Sequence, residues 1–244
     1  MLQKTKGIVL RSVKYGDSSL VLTVFTSLYG IQTYMVQGVR SSKVRNNRSG
    51  LLQPAALLDL VVYHKPQQNL QRIKEFQAAY LYNSLHEEIV KNSIAIFSVE
   101  LLSRLLPEHA IMPELFDFAF AYFIQLDKMP LNTVANFPLW FIIQCSDLLG
   151  YNLKGDYTPQ TLHLNLQEGG FTNHPPATRP FVNDEDTKTL ALLLKAKEFS
   201  DLGLADMNSE MRFRLIDWYL EFLRQHAQHL GNIRSLTVLQ TILH

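Results

Sequence analysis

The stretch from Gly7 to Arg40, GIVLRSVKYGDSSLVLTVFTSLYGIQTYMVQGVR, limits the possible folds more than any other part of the chain. It divides into three apolar runs of strand length, separated by Tyr15-Gly16-Asp17-Ser18 and by Tyr29-Gly30. The breaks hold residues that tolerate turn geometry. The runs hold β-branched and bulky residues: Ile8, Val9, Leu10 and Val13, then Leu20 to Phe25, then Ile31 to Val36. Lys6, Arg11 and Lys14 are threaded through the first run, so neither of its faces is cleanly apolar. A small barrel, packed inside and basic outside, produces that texture. Two more runs, Leu57 to Tyr63 and Leu70 to Phe76, flank a turn from His64 to Asn69. Five short strands ahead of Ala78 predict an OB-fold, a Greek-key barrel that often takes single strands of nucleic acid.

Charge is segregated along the chain. Through Arg72 there are ten basic residues against the acids Asp17 and Asp59, a net of +8, and the whole chain carries +1, which leaves −7 for the remainder. A basic third joined to an acidic two-thirds suggests a polyanion-binding module attached to a part that meets other partners. Arg40 to Gly50, RSSKVRNNRSG, concentrates Arg40, Lys43, Arg45 and Arg48 among small polar residues with no acid. Such a loop suits a phosphate backbone. It lacks the Walker pattern of a nucleotide cradle. The residues expected to contact nucleic acid are Arg11, Lys14, Arg40, Lys43, Arg45 and Arg48 through phosphates, and Tyr34 through base stacking. Tyr15 and Tyr29 belong to the same strands and turns, and any of these rings can instead belong to the barrel core.

From Ala78 the hydrophobic period changes to about 3.6. Ile89, Ile94, Phe97, Leu101 and Leu105 form a helical stripe that stops before Pro107. Pro113 opens a second helix. Asn132 or Thr133 can cap a third that reaches Leu149 and, being apolar nearly all round, should lie central. Residues 151–182 are rich in Gly, Pro, Asn and Thr, with alternation from Thr161 to Leu166, and predict an inserted hairpin or extended loop. Helices resume after Asp184 through Ala196, around Leu202 to Met207, from Asn208 to about Leu230, and in the closing SLTVLQTIL. The expected class is α+β multidomain: an N-terminal OB-fold β-barrel over 1–78, then an all-α helical domain over 79–244 with the insertion at about 151–182.

The lone Cys145 excludes an internal disulfide and a cysteine-rich zinc site, and its apolar neighbours predict a buried, inert thiol. The N-terminus has no signal-peptide core, and no apolar run approaches the roughly 18 residues of a membrane span. A cytoplasmic protein with no membrane contact is expected. His86 and His109 show no metal-ligand spacing. Gly-x-Ser-x-Gly, dinucleotide-fingerprint and His-Glu-x-x-His patterns are all missing, so no enzyme is expected. A nuclease would want clustered carboxylates for divalent metal, and the basic third has two acids.

Several stretches together resemble the bacterial recombination mediator family RecO. In the first domain these are Gly7-Ile8-Val9-Leu10, Tyr15-Gly16-Asp17-Ser18, Phe25-Thr26 before Tyr29-Gly30, Gly38, and Leu52-Gln53-Pro54. In the second they are Leu148-Leu149-Gly150-Tyr151, Gly169-Gly170-Phe171 and HLGNIRSLTVLQTIL. The resemblance spans essentially the whole chain. It implies a non-enzymatic protein that binds single- and double-stranded DNA and anneals complementary strands. With RecR it would help RecA onto DNA coated by single-strand-binding protein (SSB), acting at the nucleoid during repair. The helical domain would dock the acidic SSB C-terminal tail, with Lys91, Arg104, Lys195, Lys197, Arg212, Arg214, Arg224 and Arg234 as candidate rim cations. Many members carry four zinc-binding cysteines after the Leu-Gly-Tyr motif. Here that segment has none, and His163 and His174 cannot complete a four-ligand site, so no cofactor is expected. The alternative is a helical adaptor whose barrel binds protein or RNA.

Overall fold

The computed structural model describes residues 2–39, 48–66, 68–227 and 230–243. Five strands close into a barrel: β1 (Leu2–Tyr15), β2 (Ser19–Thr26), β3 (Gly30–Val36), β4 (Leu57–Tyr63) and β5 (Leu70–Tyr80), in the order β1-β2-β3-β5-β4. All pairings are antiparallel except β3 with β5, which run parallel over Thr33–Met35 and Leu70–Arg72. Side chains alternate along β2 and β3, sending Leu20, Leu22, Val24, Tyr34 and Val36 inward. They meet Leu58, Leu60, Val62 and Phe76 from β4 and β5.

β1 breaks strict alternation, and its register gives the reason. Val9 pairs with Val24 but Arg11 pairs with Thr23, so Leu10 is an extra residue in a β-bulge. Ile8, Val9 and Leu10 can then all be buried in succession. The bulge also switches the outward parity, from Lys4 and Lys6 before it to Arg11, Val13 and Tyr15 after it. That switch accounts for Lys6 and Arg11 in the first run, while Lys14, of inward parity opposite Leu20, is exposed near the strand end.

The chain forms two compact units, and they are not divided at a single point. One contains Met1–His86 and Leu106–Asp127; the other contains Glu87–Leu105 and Lys128–His244. The helices are α1 (Ile89–Leu105), α2 (Pro113–Lys128), α3 (Phe137–Leu148), α4 (Asp184–Leu193), α5 (Ser209–His226) and α6 (Ser235–Ile242). The boundary expected at 78/79 places α2 with the helices, yet nearly all of α2 groups with the barrel. Its Phe116 meets Phe25 edge to face at 5.3 Å, and Lys6 lies over the Phe120 ring at 5.0 Å. Gly30 (φ +63) passes so close to the preceding loop that an added Cβ would overlap the Ala110 carbonyl.

In the second unit α3 is buried on nearly every side, with Phe137, Leu139, Phe141, Ile142 and Cys145 at zero exposure. It begins at Phe137 and not at Asn132 or Thr133, which sit in or beside a 3₁₀ turn at Leu131–Thr133. A start at Thr133 would put Pro138 in the helix interior, where it lacks an N–H; starting at Phe137 puts it in the first turn. Asn183 and Asn208 cap α4 and α5, accepting from Asp186 N at 2.7 Å and Met211 N at 2.8 Å. Asp186 also receives Arg214 in a bidentate pair at 2.7 and 3.0 Å, tying α5 to α4. Residues 151–182 hold a two-stranded hairpin, β6 (His163–Asn165) with β7 (Gly170–Thr172).

Candidate nucleic-acid interface

The barrel registers determine which side chains share an outer face. Arg11 faces Thr23, Thr23 faces Thr33, and Thr33 faces Leu70. The next row outward is Val13, Val21, Met35 and Arg72, and beyond it Tyr15 faces Ser19. Four adjacent strands about 4.8 Å apart make this face roughly 14 Å wide. Arg11 stands on its β1 side and Arg72 on its β5 side, both exposed. Tyr15 is 58% exposed, Val13 42% and Leu70 43%. A cavity of about 440 Å³ adjoins Met35 and Arg72 and is lined further by Gln37, Gly38, Lys74 and Glu75.

This geometry separates the residues expected to bind DNA. Arg11 lies on the face, and Lys14 is exposed at its rim, opposite Leu20. Arg40, Lys43 and Arg45 lie outside the described residues, as does the side chain of Arg48, whose backbone opens a 3₁₀ turn at Arg48–Leu52. Tyr34 is corrected by the structure. It has the inward parity, in the row Ser12, Leu22, Tyr34 and Gln71, and is completely buried. No base can reach it. Burial, with Tyr29 nearby, pushes its hydroxyl pKa well above the ordinary value. Tyr29 is also taken, its ring stacked on His64 with centroids 3.8 Å apart. The exposed ring on the face is Tyr15, and strand parity across the bulge was the signal that separates it from Tyr34.

The basic third does not gather on one side. Lys4 and Lys6 belong to the sector where β1 meets β4, across from Val61 and Asp59. Asp59, Glu75 and Gln77 surround a cavity of about 860 Å³ there, so those lysines face nearby acids. The side with Arg11 and Arg72 has Asp17 in its adjoining turn and Glu75 at the edge of the smaller cavity.

Residues 1–82 match the family model described as "Recombination protein O N terminal", and residues 86–236 match "Recombination protein O C terminal". The chain belongs to the RecO family. Similar proteins named "DNA repair protein RecO" include one from Bacteroides fragilis, 31% identical over 243 residues covering 99% of both chains. Others come from Azobacteroides pseudotrichonymphae, 28% identical over 242 residues and 99% of both chains, and Flavobacterium psychrophilum, 27% over 239 residues and 98% of both. A role in recombinational repair follows from membership of the RecO family, and the closed barrel followed by helices is the architecture expected for it.

The segment after Leu148-Leu149-Gly150-Tyr151 holds no cysteine. Lys154 donates its N–H to the Gly169 carbonyl and accepts from Phe171 N, each at 2.9 Å, and it bridges Gly170 so closely that a Cβ there would overlap the Lys154 carbonyl. Thr158 and Thr161 share a hydroxyl bond at 2.7 Å, and Thr161 donates to the Asp156 carbonyl at 2.6 Å. His163 lies 3.8 Å from Asp184. These residues do not fit a tetrahedral zinc site, and among the described residues no group of three or more His, Cys, Asp or Glu could hold a metal ion. Among them, too, no helix is long and apolar enough to cross a membrane.

The second unit contains its own cavity of about 420 Å³. Ile143, Leu153, Tyr157, Phe171, Leu192 and Tyr219 supply its apolar lining, and Lys188 and Lys195 stand beside Asp147 and Asp156. Lys195 is among the expected rim cations; Lys188, exposed on α4, was missed because its spacing carries no signal of its own. Lys91 and Arg212 are buried, and Arg212 is bound to Asn136 at 2.9 Å and to the Met207 carbonyl at 3.1 Å. Arg214 is engaged by Asp186 and Glu210, and Arg224 by Glu221. Arg212 and Arg214 therefore tie segments of the fold together, whereas Arg224 makes an exposed pair within its own helix.

Proposed function

We propose that this RecO-family chain is a non-enzymatic DNA-binding mediator of recombinational repair in the cytoplasm. It binds single- and double-stranded DNA, anneals complementary strands and, with RecR, helps RecA replace SSB. The observation that carries the reading is the exposed barrel face with Arg11 and Arg72 at its two sides and the cation-rich segment Arg40–Arg48 in the same barrel domain. Cations that neutralise phosphates on two strands lower their mutual repulsion and leave the bases free to pair. Contacts to phosphate carry little sequence information. Affinity should fall with salt, with a slope of about −0.7 per phosphate on single strands. The test is anisotropy with labelled oligonucleotides across a salt series. Replacing Arg40, Lys43, Arg45 and Arg48 together by Ala should remove most binding and flatten the slope. Unchanged binding would move the DNA site away from this segment.

The apolar lining of this cavity with Lys188 and Lys195 complements an acidic peptide with an apolar end, while Asp147 and Asp156 oppose its charge; the apolar lining and the two lysines support it as the dock for the SSB tail. Titration with a peptide of that tail, on the wild type and on Lys188→Glu with Lys195→Glu, tests it; equal affinity for both would exclude this cavity. The hairpin segment works without zinc in this reading, and stoichiometric zinc in the purified protein would refute that.

A further inference from the structure

The outer face of β1, β2, β3 and β5 is more apolar than phosphate binding requires. Cations alone would serve a duplex, whose bases are already stacked and present only their edges. Here an exposed tyrosine ring stands beyond a row of Val13, Val21 and Met35 that continues through Arg72 to Tyr63 on β4, 45% exposed, with Arg11 in the row below. Tyr15 sits at the last pair of the β1–β2 ladder, opposite Ser19. Serine is small, so the side chain across from the ring leaves space above it. No ring contact involves Tyr15 among those described, whereas Tyr29 is stacked on His64 and Tyr34 is buried.

Resting on the DNA-binding reading above, we propose that this face selects single strands, with Tyr15 as the platform for an unstacked base. Val13, Val21 and Met35 form an apolar floor beside it, and Arg11 and Arg72 hold the backbone. An aromatic face accepts any base, so selection is by strandedness and not by sequence. The two arginines, about 14 Å apart across the strands, treat every backbone alike.

The test measures anisotropy at fixed salt with three probes of one length: a mixed-sequence single strand, its duplex, and an abasic single-stranded backbone. Tyr15→Ala should weaken the single strand by about 5- to 150-fold, equivalent to the 1–3 kcal/mol of one stacked base. Duplex and abasic affinities should stay within about twofold. Tyr15→Phe, which keeps the ring, should bind all three as the wild type does. Arg11→Ala with Arg72→Ala should weaken all three together. If Tyr15→Ala lowers all three equally, or leaves the single strand unchanged, the stacking role is wrong while the DNA-binding reading survives. If the wild type binds none of the probes, that reading falls and this one with it.

Discussion

Asp127 is the residue whose removal should cost the barrel unit most for its size. It lies at the C-terminal end of α2, where the helix dipole disfavours a carboxylate, and it is 3% exposed. Its oxygens accept from the backbone N–H groups of Asn83, Ser84 and Leu85 at 2.8–3.1 Å and from the Tyr80 hydroxyl at 3.1 Å. Burial alone would raise its pKa, but those hydrogen bonds outweigh burial and hold it below the usual carboxylate value. Hydrogen bonds to a charged group contribute about 1.5–3 kcal/mol each and neutral ones about 0.5–1.5, without simple additivity. Asp127→Asn, which keeps one acceptor but turns an amide N–H₂ toward backbone donors, should therefore cost about 2–4 kcal/mol. That is a large part of the roughly 5–15 kcal/mol that holds a domain folded. A chain of two units need not unfold in one step. The readout is therefore hydrogen exchange against urea in peptides covering β5 and α2. With an m value of about 2 kcal/mol/M, the midpoint should fall by about 1–2 M. The sign of the pH effect follows from the depressed folded pKa. The contribution is fully present above the unfolded value of about 3.9 and is lost as pH falls through the folded one. A midpoint unchanged within about 0.3 M, or a wild type and Asn variant that lose stability in parallel below pH 4, would refute the reasoning.

Three shorter tests follow. Gly30→Ala should destabilise the barrel by about 2–4 kcal/mol, combining the left-handed backbone penalty with overlap on the Ala110 carbonyl; a normal unfolding midpoint would show that the loop yields freely. Glu100 on α1 accepts from the Arg234 and Ser235 backbone N–H groups at 3.0 and 2.8 Å, acting as a cap for α6 supplied by another helix. Glu100→Ala should cost about 1 kcal/mol and speed exchange in α6 before α3, and uniform exchange would contradict this. Cys145 is fully buried, and burial pushes its thiol pKa well up, so native protein should resist a thiol reagent that labels it fully in denaturant. Rapid native labelling would mean that α3 opens readily.

The sequence alone was enough to locate the strands and most helices. β3 alternates cleanly, and β2 does so as far as Val24, because their inner side chains fill a narrow barrel, and the caps Asn183 and Asn208 mark helix starts by local chemistry. It also determined the segregation of charge and the family. Pro138 held the correct start of α3, a signal outweighed in reading by two plausible caps further upstream.

What the sequence could not decide were relations between strands and between distant segments. Tyr15 and Tyr34 look equivalent along the chain, yet one extra residue at Leu10 and the barrel's curvature expose the first and bury the second. Lys4, Lys6, Arg11 and Arg72 read as one basic group, and only strand pairing separates them into two sectors. Asp127 reads as an unfavourable charge at a helix end until the fold brings three backbone N–H groups against it. Periodicity and capping are local, so one chain segment is enough to encode them. A shared face or a satisfied buried charge depends on partners many residues away, and their placement exists only once the chain has folded.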